Sequence, residues 1–199
     1  MDNTGVRTWT VSAGLALVLL AAPSGRAAWT QSPATPAVAS KEFTERTRAY
    51  MALHAQLALE LPPLSTDATP EAIAEHRERL AAALREARKD AREGDIFPPT
   101  VAAQIRAIVR RDLKARDARD VAATLADDSY VLEVHVNTPW PPDLPRVTIP
   151  PRLLTSLYAL PADLEYRFYD RHLVLLDVDA QLIVDVVRDA IPSSVRPRH

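Results

Sequence analysis

The sequence contains no cysteine, which excludes a disulfide framework and an acyl-anchored lipoprotein, so the folded chain is held by its core alone. Only 4 glycines stand against 17 prolines in 199 residues. That bias stiffens loops and lowers the entropy of the unfolded chain. No excess of positive charge is present, the formal net charge being −2, and nothing in that balance points to a nucleic-acid partner. The phosphate-cradling glycine loops G-x-x-x-x-G-K and G-x-G-x-x-G and the zinc-binding H-E-x-x-H are all missing, so nucleotide and zincin chemistry lack their entry signals.

Residues 11–22 are small or apolar apart from Ser12, with Arg7 before them and Pro23, Ser24, Gly25, Arg26, Ala27 and Ala28 after them. This is the three-part layout of a secretory signal peptide over residues 1–27, with Gly25 and Ala27 supplying the small residues of a cleavage site. A dozen apolar residues fall short of the roughly 20 that cross a bilayer. The expectation is export to a bacterial periplasm or medium, with no stable membrane anchor after cleavage. Loss of Arg7, Arg26 and Asp2 leaves 22 basic and 25 acidic side chains. Residues 28–40, AWTQSPATPAVAS, read as a flexible linker, residues 41–191 as a single domain, and residues 192–199 as a loose tail.

Helical spacing runs through Phe43, Thr47, Tyr50, His54, Leu57 and Leu61 and stops at Pro62-Pro63. Thr69-Pro70-Glu71 is a strong start signal, because Thr caps, Pro suits the first helical position and Glu favours the positive end of the dipole. From there Ile73, Leu80, Leu84, Ala87 and Ala91 predict the longest helix, ended by Gly94. A third helix carries Val101, Ile105, Ile108, Val109 and Leu113 on one face, and residues 116–125 and 152–160 predict two short ones. Residues 130–137 (YVLEVHVN) alternate with period two and read as a strand of the same sheet as residues 164–187. In that last stretch three runs, separated at Asp170-Arg171 and near Asp179, predict a three-stranded antiparallel meander. The fold class expected is α+β, a helical N-terminal half packed on a small, mainly antiparallel sheet.

Candidate sites are few. Trp140, with Pro139 and Pro141 in a strap holding six prolines in residues 138–151, is either a rigid exposed anchor for a partner or a staple pinning the strap to the core. Glu165, His172 and Asp177 form the one arguable carboxylate–imidazole relay, but no G-x-S-x-G elbow presents a serine, and Thr155 and Ser156 sit on a predicted helix. Glu133 and His135 share a strand face but lack further metal ligands. The Asp177, Asp179 and Asp185 spacing opens like a calcium loop, then lacks its glycine and its closing glutamate, so a turn role fits better. His54 and His76 lie on helical apolar stripes and read as core histidines. Arg106, Arg110 and Lys114 align on one helix face beside Arg111, where a solvated face paired with acidic neighbours is the simpler reading.

The segments GDIFPP at residues 94–99 and LEYRFYDRHLVLLDVDAQLIVD at residues 164–185 resemble those of short exported bacterial proteins without an established activity, over roughly residues 43–191. The resemblance implies a fold and an envelope location but no catalytic residue. Together these readings favour a non-catalytic envelope protein that binds a protein or cell-wall component through Trp140 and its flanking prolines, without a cofactor or metal. The competing reading is a small hydrolase or metal-dependent enzyme built on Glu165, His172 and Asp177.

Overall fold

Alternation of apolar side chains produces the expected meander. In a computed structural model, which describes residues 35–113, 133–141 and 149–192, β1 (Leu164–Tyr169), β2 (His172–Asp177) and β3 (Leu182–Val187) pair antiparallel in the order β1-β2-β3. Asp170 takes a positive φ of 47° in the two-residue turn between β1 and β2, a conformation that a short polar side chain tolerates. Among the described residues four helices precede the sheet in sequence: α1 (Pro36–Glu60), α2 (Pro70–Ala87), α3 (Pro99–Asp112) and the single turn α4 (Pro151–Leu154). The fold is therefore α+β, with a helical N-terminal half and a C-terminal antiparallel sheet.

One face of the sheet meets the helices. Leu164, Tyr166, Phe168, Leu173, Leu175, Leu182, Val184 and Val187 share a core with Phe43 and Tyr50 of α1, Leu84 of α2, and Val101, Ile105 and Val109 of α3. Phe43 stacks on Phe97 at 5.8 Å and on Tyr158 at 5.0 Å, and Phe97 stacks on Tyr166 at 6.4 Å. These rings tie α1, the turn before α3, the segment after α4 and β1 into one aromatic block, with spacings in the range where offset rings attract. The opposite face carries a second cluster of Val134, Trp140, Tyr169, Val174, Leu176, Ile183 and Val186. Both faces of β2 and β3 are thus buried, as their apolar runs imply.

Strict alternation fails in β3. The β2/β3 register shifts between Leu175 and Leu176, leaving Val184 as the extra residue between Ile183 and Asp185. A bulge of this kind turns two consecutive side chains to one side. Val184 joins the helical core, and Asp185 reaches the turn before α3, whereas Ile183 and Val186 lie in the second cluster.

Several boundaries differ from expectation. α1 begins at Pro36, so the last five residues of the expected linker are helical, and Ala39 is fully buried. Thr35-Pro36 is the same kind of start as Thr69-Pro70, with proline pre-set for the first turn. α1 spans 25 residues and is longer than the 18-residue α2. α2 stops at Ala87, where the side chain of Asn137 donates to the carbonyls of Arg85 and Arg88. Gly94 takes φ 95° in the following loop. The helix expected over residues 152–160 is only α4, followed by a turn at residues 155–157. The strand expected over residues 130–137 is not one where described: residues 133–138 are irregular, and pairing with β3 is confined to the Pro139–Leu182 bridge and the bonds Asn137 N–H to Ile183 O, Ile183 N–H to Thr138 O and Trp140 N–H to Gln181 O. The expected signal peptide, the expected linker up to residue 34, residues 130–132, the short helix expected at residues 116–125, Lys114, strap residues 142–148 and the expected tail from residue 193 lie outside the described residues.

Candidate functional site

Sequence reasoning offered Trp140 as exposed anchor or as staple, and the side chain is 4% exposed. It packs edge-on against Tyr169, with ring centroids 6.5 Å apart, inside the second cluster. Trp140 is therefore a staple, and the exposed-anchor expectation is corrected. Apolar Val174, Leu176, Ile183 and Val186 give an indole more burial than solvent can offset. Pro139 is exposed and Pro141 partly so, which leaves neither with an aromatic anchor beside it.

Glu165, His172 and Asp177 do not converge. His172 opens β2 and Asp177 closes it, so five residue steps of strand separate their Cα atoms by about 17 Å. Their side chains also project from opposite faces, since strand positions of odd separation alternate. Glu165 bonds Arg167 at 2.5 Å, and His172 Nδ1 accepts the Asp189 N–H at 3.1 Å. Burial, with Arg188 nearby, pushes His172 below its ordinary value. The relay is excluded as drawn.

The remaining candidates resolve individually. Glu133 and His135 form an exposed pair at 3.2 Å, and among the described residues no group of three His, Asp or Glu side chains is placed to hold a metal ion. Asp177 Oδ1 accepts the Ala180 N–H at 2.8 Å, the turn role expected of it. Arg106 is half-buried and donates to the Arg188 carbonyl at 2.9 Å, while Arg111 pairs with its neighbour Asp112. The expected basic stripe is thus divided between different partners within residues 106–112.

Two buried carboxylates organise the structure. Asp185 accepts four backbone N–H groups: Gly94 at 3.0 Å and Val186 at 2.7 Å on Oδ1, Ile96 and Phe97 at 2.7 Å each on Oδ2. Burial raises its carboxyl, the four amides pull the other way, and donors occupy both oxygens. The glycine turn and the final strand are thereby one physical unit. Asp177 Oδ2 accepts the Tyr50 O–H at 2.6 Å and lies 3.5 Å from His54 Nε2. Arg88, at the end of α2, sits 5.0 Å from the Tyr50 ring centroid and donates to Val184 O at 3.0 Å. Sequence reasoning missed both clusters. The signal available to it was an aspartate inside an apolar strand, which has to be paired to be buried.

Among the described residues a concave surface lies along β1. A cleft of about 370 Å³ is formed by Ile149, Leu154, Tyr158, Leu160 and Pro161 on one side and by residues 164–167 of β1 on the other. Its charge is confined to the bonded Glu165–Arg167 pair. The walls are held firmly: Tyr158 O–H donates to Gln104 at 2.5 Å and Tyr166 O–H to the Tyr158 carbonyl at 3.1 Å. Leu154, half exposed, lies on the cleft wall. Among the described residues β1 pairs only with β2, and no helix there is long and apolar enough to cross a membrane.

Comparison of the chain with models of known families, with curated proteins and with solved structures returns no match.

Proposed function

We propose that this chain is an exported, non-catalytic envelope protein that binds an apolar segment of another protein in the cleft beside β1. The observation that carries this reading is the cleft itself, a concave surface of drug-sized volume in which Ile149, Leu154, Leu160 and Pro161 stand beside Tyr158, Tyr166 and one self-neutralised charge pair. Export is supported by the layout of residues 1–27. The non-catalytic reading is supported by the separation of His172 from Asp177 along β2.

Leu154→Glu places a charge on the cleft wall at a residue that is already half exposed, so the fold is expected to survive. Captured from a crosslinked envelope fraction, the wild-type chain should bring down a partner that the variant loses at unchanged melting temperature. Equal recovery by both chains would refute the cleft as the contact.

A further inference from the structure

Arg167 lines the cleft beside β1, and its side chain is 14% exposed. A guanidinium carries five N–H donors, yet among the described residues its one hydrogen-bond partner is Glu165, which takes Nη2 at 2.5 Å and leaves a buried Nε without an acceptor. Its charge is neutralised, but its donors are not satisfied.

Nε and Nη2 lie on one edge of the guanidinium and together match the two oxygens of a carboxylate. Arg111 shows the full arrangement in this chain, with Nε and Nη2 bonded to the two oxygens of Asp112 at 2.6 and 2.7 Å. Glu165 meets only half of that edge on Arg167. It stands two residues away on the same face of β1, about 7 Å along the strand, and its side chain is 41% exposed, so it can turn to solvent. Arg167 is held in place, because across the ladder it pairs with fully buried Val174. In such surroundings a bond to a charged group is stronger than in water, and an unmade one costs more.

We propose that Arg167 is the anchor for the C-terminal carboxylate of the apolar partner segment, which displaces Glu165 and binds Nε and Nη2 together. The proposal rests on the cleft reading above and names the chemical group that the cleft selects. A chain end suits the site because its carboxylate stands next to its last side chain, so a terminal leucine or valine offers the anion to Arg167 and its apolar group to Leu154, Leu160 and Pro161. The exchange buries no extra charge, since one carboxylate replaces another. What it adds is the bond that Nε lacks.

The test is titration of the full chain with acetylated leucyl-valyl-leucine, as the free acid and as its C-terminal amide, followed in ¹⁵N spectra of the arginine Nε–H groups. The free acid should bind the wild type roughly tenfold or more tightly than the amide, the worth of a hydrogen bond between charged groups, and should shift the Arg167 signal. Glu165→Gln makes the internal competitor neutral and should raise free-acid affinity, whereas Arg167→Met keeps the apolar stem and should bring acid and amide to one affinity. Equal affinities for the wild type, no binding of either peptide at millimolar concentration, or an acid preference that survives in Arg167→Met would each overturn the proposal. So would a peptide amide with an internal aspartate that binds as tightly as the free acid. Should Arg167→Met fail to fold, the wild-type Nε–H signal and Glu165→Gln decide. Equal affinities that are both lost in Leu154→Glu would strike the role of Arg167 and leave the cleft standing.

Discussion

Asp185→Asn should be among the most damaging single substitutions in this chain. The carboxylate receives four backbone N–H groups, two on each oxygen, at 2.7–3.0 Å, and it is fully buried. An amide of the same shape keeps one oxygen, so two of the four donors would face an NH₂ group instead of an acceptor. Each buried donor left unpaired costs about 1–3 kcal/mol, and the two together about 2–6 kcal/mol. That is a large share of the roughly 5–15 kcal/mol of a typical domain. In urea, at about 2 kcal/mol/M, the midpoint should fall by about 2 M at unchanged slope. Amide exchange should accelerate first at Gly94 or at Ile96 and Phe97, according to which oxygen the NH₂ group replaces, while the sheet remains. A loss below about 1 kcal/mol would show that the bond network at Asp185 does not fasten the turn to β3.

Three further outcomes follow from the same geometry. Trp140→Ala should cost about 3–5 kcal/mol, read from the urea midpoint, since the indole is a buried staple; a fold of unchanged stability would return Trp140 to the surface. His172→Gln should flatten part of the acid limb of the stability profile. Its folded value is depressed and its Nδ1 must stay unprotonated to accept the Asp189 amide, so wild-type stability falls as pH drops below about 6.5, and a variant with the same limb would contradict this. Gly94→Ala should cost about 1–2 kcal/mol through backbone strain alone, because φ is 95° and the nearest atom to an added Cβ, the Phe97 carbonyl oxygen, is at an ordinary 3.7 Å; an unchanged melting temperature would count against that strain.

The sheet was legible because its three runs announce themselves locally: Leu164, Tyr166 and Phe168 alternate with polar neighbours, and Asp170-Arg171 breaks the pattern. The bulge was not, since Leu182, Ile183, Val184, Val186 and Val187 are apolar on either face and hide a one-residue slip. The start of α1 at Pro36 was readable by the rule already applied to Thr69-Pro70, with Ala39 one turn before Phe43. The two carboxylate clusters join residues about 90 and 127 positions apart, and no local pattern encodes such a pairing. Likewise, the β1 cleft exists only because α4 stops early and returns residues 158–162 along the strand. Of the sites read from sequence, Asp177 keeps a role, as a buried turn cap and acceptor rather than as part of a relay.

The central claim is that the wall beside β1 is a contact surface for another protein. Its most direct measurement is site-specific photocrosslinking in the envelope of the native host, with p-benzoylphenylalanine replacing Leu154 in the cleft or, as a control, Leu59, which is 88% exposed on α1. One discrete adduct from position 154, absent from position 59, is the predicted result. The same adducts from both positions, or none from 154 in a folded chain, would contradict it.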